Sequence, residues 1–279
     1  MTPVPPQTAA ASRMAAFESP RTILVNSVVA AVLGAGLMVL LHEVVHLVAG
    51  VALGGRSVLY PFGVTHASAL GAEQRAIAAL AAPAFSLVSG FALVAWQPLA
   101  RRGGFGHLLW LWFAFTSIME GVGYLVITPF GAGDTATAAE LLGWPWGVVL
   151  AMCAVGVGLQ FFAARLFAPH LRRHAGTDGA RQWAFAFWPW LLASAVNVGL
   201  GQLWMALAGM DLTVGERIAI TAAGLAVPVF APMSFLFLRL AAEEPDQPLG
   251  LPRIPVGGLL AFAALTVLNL LLLRGFSLG

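Results

Sequence analysis

Seven predominantly apolar stretches, at roughly 22–53, 74–98, 105–128, 145–167, 182–208, 217–239 and 256–274, each reach 18 residues or more. An α-helix needs that length to cross about 30 Å of hydrocarbon at about 1.5 Å per residue, whereas a barrel strand would be about half as long and would alternate. The chain therefore reads as an all-α polytopic membrane protein of about six to seven transmembrane helices, with a short extended segment after the first. The breaks between stretches are rich in Gly, Pro and Arg: Gly54-Gly55, Arg101 to Gly104, Pro129 to Gly133, Arg172-Arg173, Gly209 to Glu216, and Glu243 to Pro255. With 59% hydrophobic and 9% charged residues, the composition excludes an ordinary soluble domain.

The formal net charge is +2 and every basic residue is arginine. So few charges, scattered over loops, point to the lipid bilayer as partner and not to a nucleic acid. The single cysteine, Cys153, has no disulfide partner. Residues 1–21 are polar and proline-bearing, too short of apolar length for a signal core, and read as a mobile N-terminal tail. Most arginines fall on one side of a seven-helix zigzag, which puts the N-terminus in the cytoplasm and suits a cell (plasma) membrane protein. The first and third helices then end on the same face, so residues near 45 come within reach of residues near 130.

The first helix contains LLHEVVHLVAG, in which His42 and His46 are four residues apart and project from one helical face. Two imidazoles so placed can hold one Zn²⁺, whose catalytic sites use three protein ligands and leave a position for water. Glu43, beside the first histidine, is the expected general base. An intramembrane carboxylate next to two imidazoles is costly unless something pairs with it. The expected third ligand is Asp134, in the Pro/Gly break PFGAGDTATAAELLG, where irregular backbone is tolerated only if it lines protein or a wet cavity. The competing role for Asp134 is an N-cap on the helix that follows, and Glu120 is the other candidate ligand.

Three stretches together resemble the site-2 protease family of intramembrane zinc metalloproteases. HEVVHLVAGVALGGRSVLYPFG resembles the family's zinc helix and following extended segment, AAPAFS (81–86) its small-Gly-Pro-x-x-Asn motif, and Val126 to Asp134 its Asn-x-x-Pro…Asp-Gly motif. The chain departs from the family pattern at Ala82, Ser86, Val126 and Thr135. The resemblance covers roughly residues 30–142 and implies a three-helix metalloprotease-like core at 22–142, followed by additional helices at 143–279 of unassigned role. It implies zinc held by His42, His46 and Asp134, Glu43 as catalytic base, and a membrane-anchored protein as substrate. It also implies a site nearer the cytoplasm, whereas the arginine distribution puts that end outside.

Residues 56–63, RSVLYPFG, read either as an edge strand that pairs with an extended substrate or as a plain interfacial connector. His66 reads as an interfacial side chain. Asn197 and Gln202 either face a cavity or bond between helices. The tryptophans, including Trp110, Trp112, Trp144, Trp146, Trp188 and Trp190, read mainly as interfacial belts. The stretch from Pro169 to Arg181, with His170, Arg172, Arg173 and His174, reads as a solvated basic loop near anionic headgroups. The alternative function is a non-proteolytic transporter or a partner-binding pseudoenzyme that retains a structural metal site.

Overall fold

A computed structural model describes residues 18–66, 70–209, 221, 224–241 and 247–279. The helices are α1 (Pro20–Ala52), α2 (Ala72–Trp96), α3 (Gly104–Ile127, continued by a 3-10 turn at Thr128–Phe130), α4 (Asp134–Leu141) and α5 (Trp146–Ala175). They continue with α6 (Gly179–Leu207), α7 (Gly224–Phe237) and α8 (Val256–Leu272). Among the described residues α1, α2, α3, α5 and α6 are long and apolar enough to cross a membrane, while α7 and α8 are apolar but shorter. The protein is an all-α polytopic membrane protein, with helices at the seven expected stretches. The part of the sixth stretch before residue 221, and residues 1–17 of the expected tail, lie outside the described residues. Glu18 to Arg21 belong to the start of the fold: Glu18 accepts from the Leu251 N–H at 2.8 Å, and Ser19 caps α1 by accepting from Thr22 N at 3.2 Å, with Pro20 as first helical residue.

At 33 residues, α1 is about 50 Å long and outreaches the hydrocarbon layer. The centre of the molecule is α3, whose Leu108, Leu111, Trp112, Phe115, Ile118 and Val122 are completely buried. Trp110 and Trp112 are thus core residues and not belt residues. Trp112 packs its ring on Phe167 of α5 and Phe230 of α7, where aromatic contact outweighs the pull of the interface on the indole. α2 approaches α3 closely at Gly121, where a Cβ would stand 2.7 Å from the Pro83 carbonyl oxygen. One continuous core links α1 and α3 with α5, α6 and α7, so residues 22–142 and 143–279 are packed as one body.

The expected basic loop at 169–181 is mostly helix. α5 runs on to Ala175, and His170 and His174 are buried against Phe115, Phe185 and His107. Spacing of four residues puts both imidazoles on the inner face while Arg172 stays half-buried outside it. The segment after residue 246 straps this end of the bundle: Gln247 O receives the His174 Nδ1–H at 2.8 Å, and Pro252 O receives the Asn26 amide at 2.7 Å.

Beyond the far end of α1 lies a small antiparallel sheet in the order β2 (Gly63–His66), β1 (Ser57–Tyr60), β3 (Phe276–Leu278). β1 pairs Ser57 with His66 on one side and Ser57 with Leu278 on the other. The expected edge strand at 56–63 is therefore the central strand: both of its hydrogen-bonding edges are filled, and β1 offers no row of free N–H and C=O groups. His66 Nδ1 lies 2.8 Å from Ser57 Oγ and stays inside the sheet's own bonding. Its burial lowers the imidazole pKa.

Candidate metal centre

His42 and His46 face inward from the C-terminal half of α1, both buried, with their Nε2 atoms 3.1 Å apart. Asp134, the first residue of α4, brings Oδ2 to 3.1 Å from His42 Nε2 and 3.0 Å from His46 Nε2. Around an ion with 2.0–2.1 Å bonds, tetrahedral donors stand about 3.3–3.4 Å apart, so the three atoms need open by only a few tenths of an ångström. Among the described residues this is where three such donors converge. Glu120 is not one of the three, Glu140 is exposed on α4, and His66 is held by Ser57.

The surroundings decide which ring atoms face the centre. His46 Nδ1 lies 2.8 Å from the Ala78 carbonyl, which can only accept, so Nδ1 carries the hydrogen. His42 Nδ1 lies 3.2 Å from the buried Ser86 hydroxyl, and its ring stacks on Tyr124 with centroids 5.2 Å apart and planes 8° from parallel. His46 Nε2 therefore presents a lone pair toward the carboxylate oxygen, and His42 Nε2 does the same when its Nδ1–H donates to the Ser86 hydroxyl oxygen. Three acceptors at this spacing repel one another unless they share a cation, which makes the donor set a good fit for a divalent metal.

The loop that carries Asp134 is fixed by local chemistry. Gly133 takes φ +80°, and a Cβ there would meet the Tyr124 ring at 2.6 Å, so only glycine lets the chain turn at this point. The Thr128 and Thr135 hydroxyls lie 2.6 Å apart, each 2.7 Å from the Tyr124 carbonyl, and knot the start of α4 to the end of α3. Thr135, a departure from the family pattern, has this positioning role. Gly133, and not Asp134, occupies the N-cap position, so the Asp134 side chain is left to face the imidazoles.

Glu43 follows His42 by about 100° around α1 and lines a cavity of about 270 Å³ bounded by α1, α3, α6, α7 and α8. The polar groups on its wall include Glu43, Glu120, Tyr124, Asn197 and Asn269. Tyr124 lines this cavity and stacks on the His42 ring, and so connects the cavity to the donor cluster. Asn197 faces this cavity, whereas the buried Gln202 amide nitrogen does not reach a partner among the described residues. Sequence reasoning missed Tyr124, Asn269 and the Ala78 carbonyl. Tyr124 is one of only two tyrosines and lies ten residues before Asp134 in a membrane helix, a signal that was available. A backbone carbonyl leaves no mark in a sequence.

Comparison with protein-family models, curated proteins and solved structures finds no match to this chain.

Proposed function

We propose that the chain is an intramembrane zinc metalloprotease of the site-2 type, acting in the cell (plasma) membrane on a peptide bond in or near a transmembrane segment of a membrane-anchored protein. The observation that carries this reading is the convergence of His42 Nε2, His46 Nε2 and Asp134 Oδ2 to within 3.1 Å of one another, beside a buried Glu43 that faces a cavity. Three protein ligands leave a fourth position open, as catalytic zinc requires, whereas structural zinc is closed by four. That favours a hydrolase over a pseudoenzyme or transporter with a structural metal.

His42, His46 and Asp134 would hold the zinc, which would supply Lewis acidity toward a water and a scissile carbonyl at neutral pH. Glu43 takes a proton from the attacking water as the new C–O bond forms, and delivers it to the amide nitrogen as the C–N bond breaks. His46 and His42 are held in their ligating orientation by Ala78 O, Ser86 and the Tyr124 ring.

The test is cleavage of single-span reporter proteins by wild type and Glu43→Gln in the same membranes, with zinc content measured on both. The expected result is equal zinc and cleavage slowed by about 10²–10⁴-fold in the variant, the range a general base contributes. Undiminished cleavage by Glu43→Gln would overturn the proposal.

A further inference from the structure

The cavity beside Glu43 has a wall that the site-2 resemblance does not cover. Its far side is built by α6, α7 and α8, and two amides, Asn197 on α6 and Asn269 on α8, line it together with Glu43. Neither amide makes a side-chain hydrogen bond among the described residues. Thr266, also on the wall, is different: its hydroxyl is turned back to the Phe262 carbonyl at 2.9 Å. Most of the remaining lining is apolar, from Met38, Val39, Trp204 and Leu265 among others.

An amide without partners inside a membrane protein costs free energy, and it is tolerated where something polar comes to meet it. Each asparagine side chain offers two N–H donors and one carbonyl acceptor, which matches the alternating C=O and N–H groups of an extended peptide. A helix keeps its backbone groups bonded to one another, whereas an unwound segment of a few residues exposes the backbone groups the amides lack. The β1 strand cannot perform this service, since β2 and β3 already flank it.

We propose that Asn197 and Asn269 form a backbone-binding subsite that grips a locally extended segment of a single-span substrate and holds it against the Glu43 side of the metal centre. The proposal rests on the protease reading for its catalytic meaning, but binding is measurable without turnover. Residues 143–279 thereby acquire a role: they supply amides to the site that the 22–142 core lacks at Ser86 and Val126.

The experiment uses the full-length, zinc-loaded protein in phosphatidylcholine liposomes, with Glu43→Gln to prevent turnover and Cys153→Ser to remove the native thiol. Single cysteines are introduced by Asn197→Cys, Asn269→Cys or, on the exposed face of α8, Val267→Cys. The probe is a Leu/Ala single-span peptide with a central Gly-Pro break and one cysteine beside it. Disulfide capture at 197 and 269 is expected to exceed capture at 267 by about tenfold or more, and to fall when the peptide lacks the break. Capture at 197 and 269 equal to that at 267, or indifferent to the break, would overturn the subsite. In the otherwise unchanged enzyme, Asn197→Leu and Asn269→Leu are each expected to raise KM about 3- to 10-fold, the worth of one or two hydrogen bonds, with kcat within about twofold. An unchanged KM with active enzyme would sink the subsite and leave the protease reading standing. Preferential capture by a protein that cleaves nothing would do the reverse.

Discussion

At the His42 ring, Tyr124 and Ser86 act on different properties. The stacked phenol sets the plane of the imidazole, and the Ser86 hydroxyl, 3.2 Å from Nδ1, holds the ring's rotation within that plane. Ser86→Ala removes the second control and leaves the first. Zinc affinity is expected to fall about tenfold, at the low end of what orienting partners of metal ligands contribute, with folding unaffected. Competition against a chromophoric chelator measures it, and an unchanged affinity would remove Ser86 from that role. His42, Glu43 and His46 were legible in the sequence because they lie within one and a half helical turns, where spacing alone dictates a shared face or its neighbour. Asp134 lies 88 residues from His46 and was reachable only by tracing which helix ends share a membrane face. The Tyr124 stack and the Ala78 carbonyl arise from how α2 and α3 pack on α1, a relation that no local spacing expresses.

At the scale of elements, the loop before α4 determines whether Asp134 arrives. Gly133→Ala forces a side chain into φ +80° and against the Tyr124 ring, whereas Gly131→Ala, at φ +69°, meets nothing within 4 Å. The first is expected to cost about 1–3 kcal/mol in backbone strain together with the steric shift, and to cut bound zinc to less than about half. The second pays only the strain and keeps its zinc. Metal analysis of the two purified variants distinguishes these outcomes, and equal zinc in both would show that the glycine at 133 does not position the ligand. Long elements were legible to within a few residues: the first stretch, expected at 22–53, is a helix at Pro20–Ala52. The stretch at 217–239 is described as helix only over Gly224–Phe237, where Pro228 and Pro232 favour short 3-10 turns over regular α-helix. β1 was anticipated as extended chain, but its pairing with β3, more than 200 residues away, was invisible because three residues carry too little pattern to announce a strand.

Across the whole molecule, the donors of the candidate centre join elements distant in sequence, so metal occupancy and stability are linked. A ligand that binds only the folded form adds about 2.7 kcal/mol at 100-fold excess over its dissociation constant. Stripping the purified protein with a chelator is therefore expected to lower its melting temperature by several degrees, with recovery on adding zinc and no zinc-dependent shift in His46→Ala. A wild-type melt indifferent to chelator and zinc would separate the centre from the fold. The all-α membrane architecture was legible because apolar length is a direct physical requirement of the bilayer. The shared core runs from Ile23 to Leu251, and the later helices close the cavity on which Glu43 opens.

The central claim is a zinc ion bound by two imidazoles and one carboxylate, and the most direct measurement is zinc K-edge absorption spectroscopy on the purified full-length protein, with Asp134→Ala beside it. The expected result is about one zinc per chain, two imidazole nitrogens and carboxylate oxygen at about 2.0–2.2 Å, and a variant that has lost the carboxylate shell or the metal. Wild-type protein that binds no zinc, or a variant with the same occupancy and the same spectrum, would contradict the account.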